Sequence, residues 1–175
     1  MIGYDGSSHG NDAIDDLRRA GLGDDVDVVI VSVPDRWMLE LPADDATTDA
    51  VTMQSVAEAR AHAEAGAHRT AEIFPAWHVK PLVLPLSPAE AILEAIDRTN
   101  ADMIVVGSHG RSAVGRLLLG SVSQAVLHNA PCSVRIGRRH QTMPEAASRI
   151  VVGVDGSADS AHAIEGIASR RWHEG

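Results

Sequence analysis

Short apolar runs alternate with stretches of helical periodicity along this chain. Met1 to Tyr4 is the first run, and Ala13, Ile14, Leu17 and Ala20 then recur at helical spacing within residues 11–20. Gly21 and Gly23 end that pattern. Val26 to Val33 is a second apolar run closed by Pro34, and 34–50 reads as a loop. Residues 49–72 are Ala-rich with few breakers and predict a long helix. Val79 to Leu84 predicts a third strand, placed at a sheet edge by Pro81. Ser87, Pro88 and Glu90 then form the signature of a capped helix start, followed by Ala91, Ile92, Ala95 and Ile96 at helical spacing. Met103 to Val106 predicts a fourth strand, Ser121 to Asn129 a short helix stopped by Asn129 and Pro131, and Cys132 to Ile136 a fifth strand.

Strands that alternate with helices build βαβ units, hence a mainly parallel sheet with helices on both faces. The strands are near-continuously apolar, as strands covered on both faces are. Ligands on such sheets bind beyond the carboxyl ends of the strands. The segments after strands one and four are therefore where chemistry is expected.

Composition narrows the field. With 45% hydrophobic residues the chain is globular, and a net charge of -9 argues against nucleic acid or an anionic membrane as partner. A single cysteine, Cys132, excludes an intrachain disulfide framework and suits a reducing cytosol. No signal peptide is read at the start and no apolar run reaches the roughly 18 residues that cross a bilayer, so a cytoplasmic location is expected.

After the fourth strand the chain reads V-V-G-S-H-G-R-S-A-V-G-R-L-L-L-G-S-V-S-Q-A-V. Gly107, Gly110 and Gly120 are spaced G-x2-G-x9-G, and Ser121 follows. Glycines let backbone N–H groups approach an anion, and the helix start adds free N–H groups and the positive end of its dipole. Ser121 stands where a hydroxyl either caps the helix or donates to a phosphate oxygen. Arg111 and Arg116 add positive charge. The segment has no lysine, so it is not a Walker loop, and its glycine spacing is not the Rossmann G-x-G-x-x-G.

This spacing, together with its flanking segments and a first strand ending in Asp5-Gly6-Ser7, resembles the universal stress protein family over about residues 1–138. The resemblance implies an open five-stranded parallel sheet, order 3-2-1-4-5, and a homodimer formed through strand five. It further implies an ATP-binding subclass, with ATP, ADP or AMP as ligand and Mg²⁺ or Mn²⁺ held through the phosphates. Carried over by position, Gly3 and Asp5 approach the adenine and ribose end, and Val33 is an apolar adenine contact. Gly107 and Gly110 cradle ribose and phosphates, and Gly120, Ser121 and Val122 form the phosphate-binding turn. His109 and Arg111 fall in the same loop. The downstream protein partner is not specified.

Other readings stand beside these. Asp5-Gly6-Ser7 also reads as a helix-start turn, since Asp and Ser are favoured caps. The nine histidines contain no H-E-x-x-H and no zinc spacing, and no protein-held metal site or catalytic residue is assigned. His62 and His68 read as a solvated helix face, as do Asp12, Asp15 and Asp16. Cys132 reads as a small core residue. One rival function is an adenylating enzyme, but its S-G-G-x-D-S loop is replaced here by D-G-S-S-H-G. The other is a dimerisation module of the same fold that binds no nucleotide.

The chain also echoes itself. Gly3, Asp5, Gly6, Ser7, Ala13 and Ile14 reappear as Gly153, Asp155, Gly156, Ser157, Ala163 and Ile164. The expected organisation is a nucleotide-binding domain at 1–138, a linker at 139–149, and the partial start of a second such domain at 150–175. The linker is long enough, at roughly 3.3 Å per residue, to reach back across one strand. Ile150 to Val154 is thus also a candidate for the strand-one slot, in its own chain or a partner, placing Asp155 where Asp5 would be.

Overall fold

The computed structural model describes residues 1–35, 46–110, 119–139 and 149–172. Five parallel strands form one sheet in the order β3-β2-β1-β4-β5. They are β1 (Ile2–Gly3), β2 (Asp27–Ser32), β3 (His78–Val83), β4 (Met103–Gly107) and β5 (Ser133–Gly137). The helices are α1 (Ser8–Asp16), α2 (Ala46–Ile73), α3 (Pro88–Thr99), α4 (Ser121–Asn129) and α5 (Ala158–Ala168), with a 3₁₀ turn at Leu17–Arg19. The open α/β sheet and its order are as expected. Pro81 sits in the edge strand β3, opposite Ile30. A proline without an N–H is tolerated there because one side of the strand has no ladder.

Alternate residues of each strand feed opposite faces. Ile2, Val28, Ile30 and Val105 pack with Ala13, Ile14, Leu17 and Tyr4 on the face that α1 and α2 cover. Ile104 and Val106 pack with Ile92, Ile96 and Val126 on the α3 and α4 face. At Ser87 the Glu90 carboxylate accepts the backbone N–H at 3.2 Å, and Asn100 closes α3 in the left-handed region at φ 49°. Both are local stop and start signals read from residue type.

The acidic residues of α1 depart from expectation. Asp16 is buried and pairs with Arg135 of β5 at 2.8 Å, while Asp15 holds Arg69 of α2 at 2.6 Å. They tie α1 to two neighbours, Asp16 withdrawn from water and Asp15 with 45% of its side chain still exposed. His62 is also not on a solvated face, because its ring lies against the Gly6 turn: a Cβ on Gly6 would be 2.6 Å from His62 Cδ2. His68 is exposed and faces Glu72 at 3.5 Å.

The strand-one alternative is overturned within the chain itself. Ile2 and Gly3 pair with Ile30 and Val31 of β2, and Ile2 pairs with Val105 of β4. Residues 150–154 form no strand and are exposed. The slot is shaped for Tyr4. A Cβ on Gly10 or Gly66 would each come within 2.9 Å of the Tyr4 ring, whose hydroxyl donates to Asn11 at 2.8 Å. The echo carries Val154 at that position and would leave the space underfilled. The C-terminal segment instead reaches the core at Gly21, whose carbonyl accepts the Arg171 N–H at 2.9 Å.

Candidate functional site

The carboxyl ends of β1, β2 and β4 open into a cavity of about 770 Å³. That volume suits a small-molecule ligand. Gly3, Asp5, Val33, Gly107, His109, Gly110, Gly120, Ser121 and Val122 all line it. Arg111, the tenth residue of interest, lies outside the described residues, as does Arg116.

Asp5 serves both of its readings. Its Oδ1 accepts the Ser7 N–H at 3.0 Å, and Ser7 Oγ accepts the Gly10 N–H at 3.1 Å, so the segment is a capped helix start. Its Oδ2 faces Gly110, where a Cβ would come within 3.1 Å. Gly107 is required by close packing: a Cβ there would lie 2.9 Å from the His9 carbonyl oxygen. The start of α1 therefore closes directly onto the loop after β4.

That loop is held at both ends. The Gly120 N–H donates to the Ser108 carbonyl at 2.9 Å, and Ser123 Oγ donates to the Gly107 carbonyl at 2.7 Å. The N-cap of α4 is Gly120, which has no side chain to cap with. Ser121 is thus the first residue of the helix, so its hydroxyl does not cap it. The first-turn N–H groups of Ser121, Val122 and Ser123 are left without intrahelical acceptors at the cavity wall. An uncapped helix start with its dipole aimed at a cavity is an anion site in waiting.

His109 Nδ1 lies 3.2 Å from Ser108 Oγ, its Nε2 is buried without a hydrogen-bond partner among the described residues, and its ring meets that of His9 at 5.4 Å. The described cavity wall carries two carboxylates, Asp5 and Asp35, and no lysine or arginine. On the described wall the groups that favour an anion are backbone N–H groups and the positive end of the α4 dipole. Among the described residues no group of three His, Cys, Asp or Glu could hold a metal ion. Burial pushes the Tyr4 phenol above its ordinary pKa and keeps it a neutral donor. Burial also raises the Cys132 thiol, which packs beside the α3–α4 core as a small apolar residue.

Reading the sequence missed several lining residues: Ser32, Asp35, Pro88 and Ile92. Pro88 and Ile92 begin a helix on the opposite chain segment, and only the sheet order brings them to the cavity. Asp35 had a readable signal, since it follows strand two directly, where ligand-facing residues are expected.

Residues 1–138 match the model of the Universal stress protein family. A Thermus aquaticus universal stress protein, from the QAH/OAS sulfhydrylase 3' region, is 53% identical over 57 residues, 33% of this chain and 42% of that protein. The match thus spans less than half of that relative. The fold is similar to that of the hypothetical protein MJ0577, at a TM-score of 0.66 and 21% identity over 81% of this chain and 96% of that one. An Arabidopsis thaliana family protein with AMP bound gives a TM-score of 0.51 at 16% identity, over 80% of this chain and 92% of that one. A universal stress protein in complex with cAMP gives 0.51 at 22%, over 79% and 95%. Among the described residues no helix is long and apolar enough to cross a membrane.

Proposed function

This chain belongs to the universal stress protein family, and from that premise we propose that its residues 1–138 bind an adenine nucleotide, ATP foremost, in the cavity at the strand ends. The observation that carries this is the convergence of nine separately expected residues on one cavity that ends at an uncapped helix start. Adenine is assigned to the apolar side at Val33 and ribose to the Asp5 side. The phosphates go to the Gly107–Gly110 turn and the N–H groups of Ser121 and Val122. The solved relatives with AMP and cAMP support the ligand class. Mg²⁺ or Mn²⁺ would be held by the phosphates and water.

In this reading the nucleotide state controls a conformation or partner contact in a cytoplasmic stress response, with hydrolysis at most slow. A homodimer through β5 fits a strand that has a ladder partner, β4, on one side. Residues 150–175 are read as the start of a second copy of the nucleotide-binding unit. Gly153 supports this: a Cβ on its counterpart Gly3 would crowd Ile92 at 2.9 Å and Val106 at 3.2 Å, whereas one on Gly153 has nothing within 4 Å.

The test is a thermal-shift titration of the full chain with ATP, ADP, AMP and cAMP, each with and without Mg²⁺, alongside mass spectrometry of ligand released on denaturation. Stabilisation by at least one adenine nucleotide is expected, and Gly110→Val should remove it. No shift with any of the four and no co-purified adenine nucleotide would leave the non-binding module as the function.

A further inference from the structure

A second cleft, of about 1250 Å³, lies at the amino ends of β4 and β5, where the C-terminal segment returns to the core. Arg19, Arg135, Arg149 and Arg170 all face it, against the carboxylates Asp102 and Asp159. In a chain of net charge -9, four of its 15 lysines and arginines thus converge on one wall.

These cations are not equally satisfied. Arg135 pairs with Asp16. Arg170 is held only by neutral acceptors: it donates to the Ala20 carbonyl at 3.1 Å and to Met103 Sδ at 3.5 Å. No carboxylate pairs with it among the described residues. Burial, and then the positive charge of Arg135, hold its pKa below the ordinary value, and the carboxylate of Asp102 offsets this only in part without forming an ion pair with it. Arg149 is exposed and makes no hydrogen bond or ion pair among the described residues. His162 and Ser133 supply further polar groups on the wall. A planar guanidinium fixed by neutral acceptors and facing an open cleft offers its remaining donors in the geometry that phosphate oxygens match.

We propose that this cleft binds a phosphate-bearing anion through Arg170 and Arg149, independently of the nucleotide cavity. The site uses both the core domain and residues 149–172, so it exists only when the C-terminal segment is docked. Occupancy would strengthen that docking, since a bound anion bridges the two.

Calorimetric titration of the full chain tests this, with inorganic pyrophosphate in one arm and glycerol phosphate in the other. Binding of at least one is expected, unchanged in Gly110→Val and weakened about tenfold or more in both Arg149→Gln and Arg170→Gln. Tighter pyrophosphate assigns an inorganic source, and tighter glycerol phosphate an organic monoester. The proposal falls if neither probe binds, or if Gly110→Val abolishes binding, because the anion then sits in the first cavity. It also falls if Arg149→Gln binds as tightly as the parent. In that case a loss confined to Arg170→Gln reports only the broken contact to Ala20.

Discussion

Residues 2–17 and 152–167 carry the same turn-and-helix start, once inside the sheet and once outside it. In the first, Gly6 has φ 77°, Ser7 N–H meets Asp5 at 3.0 Å, and Ser7 caps the Gly10 N–H. In the second, Gly156 has φ 83°, Ser157 N–H meets Asp155 at 2.9 Å, and Ser157 caps the Ser160 N–H. The cap residues share φ and ψ within a degree, at -74° and 163° against -75° and 163°. The strands behave oppositely. Ile2 and Gly3 join a sheet, whereas Ile150 to Val154, the stronger β sequence, join none. An Asx turn, a serine cap and a left-handed glycine are satisfied by their own neighbours in sequence. A strand is not, because its N–H and C=O groups need another strand.

The sharpest way to break this contrast is to remove the matched isoleucine from each copy. Ile14 is fully buried against β1, β2 and β4, whereas Ile164 is 46% exposed. Ile14→Ala should cost about 2–5 kcal/mol, and Ile164→Ala within about 0.5 kcal/mol. Urea denaturation of both variants measures this. Equal losses would mean that the second copy is packed as the first is, and the contrast would be lost.

The same division explains what could be read from sequence. Signals carried by near neighbours were legible: the Ser87–Glu90 capping box, the limits Ser121 to Asn129, and the proline that marks β3 as an edge. So was most of the candidate site, because the turn after β1 and the glycine array after β4 each declare themselves within a few residues. Pairings between distant residues were not. Asp16 and Arg135 are 119 positions apart, and Asp15 and Arg69 are 54 apart. Three aspartates among five residues of a short helix look like a solvated face until the topology supplies their cations. One signal was available: an arginine inside the apolar strand S-V-R-I-G needs a buried acid somewhere.

That pair gives the second test. Asp16 has 4% of its side chain exposed, and its counterpart in the echo is Gly166. Asp16→Ala should destabilise the fold by about 3 kcal/mol, since it leaves the Arg135 charge partly buried and uncompensated. Gly166→Asp should change stability by less than about 0.5 kcal/mol, because a Cβ there would meet nothing within 4 Å. A large penalty at position 166 would show that α5 is packed against a neighbour.

The smallest effect is the most discriminating, because it asks whether the turn forms without any sheet to support it. Asp155 is fully exposed, yet its carboxyl is held at about 2, below its ordinary 3.8, chiefly by the Ser157 hydroxyl, then the Ser157 N–H and the Ser160 hydroxyl. Those bonds favour the charged form, so the folded turn binds its proton less tightly than the open chain. Their support is complete above about 3.8 and is lost as the pH falls through about 2. A carboxyl-detected NMR titration should find Asp155 well below 3.8 in the parent. Ser157→Ala should move it back toward that value and lower the helicity at the start of α5. An Asp155 that titrates at 3.8 in the parent would mean that the turn is not formed outside the sheet. Local bonds would then not suffice for the first copy either, and the geometry around Asp5 would have to be credited to the packing of α1 against β4 and β5.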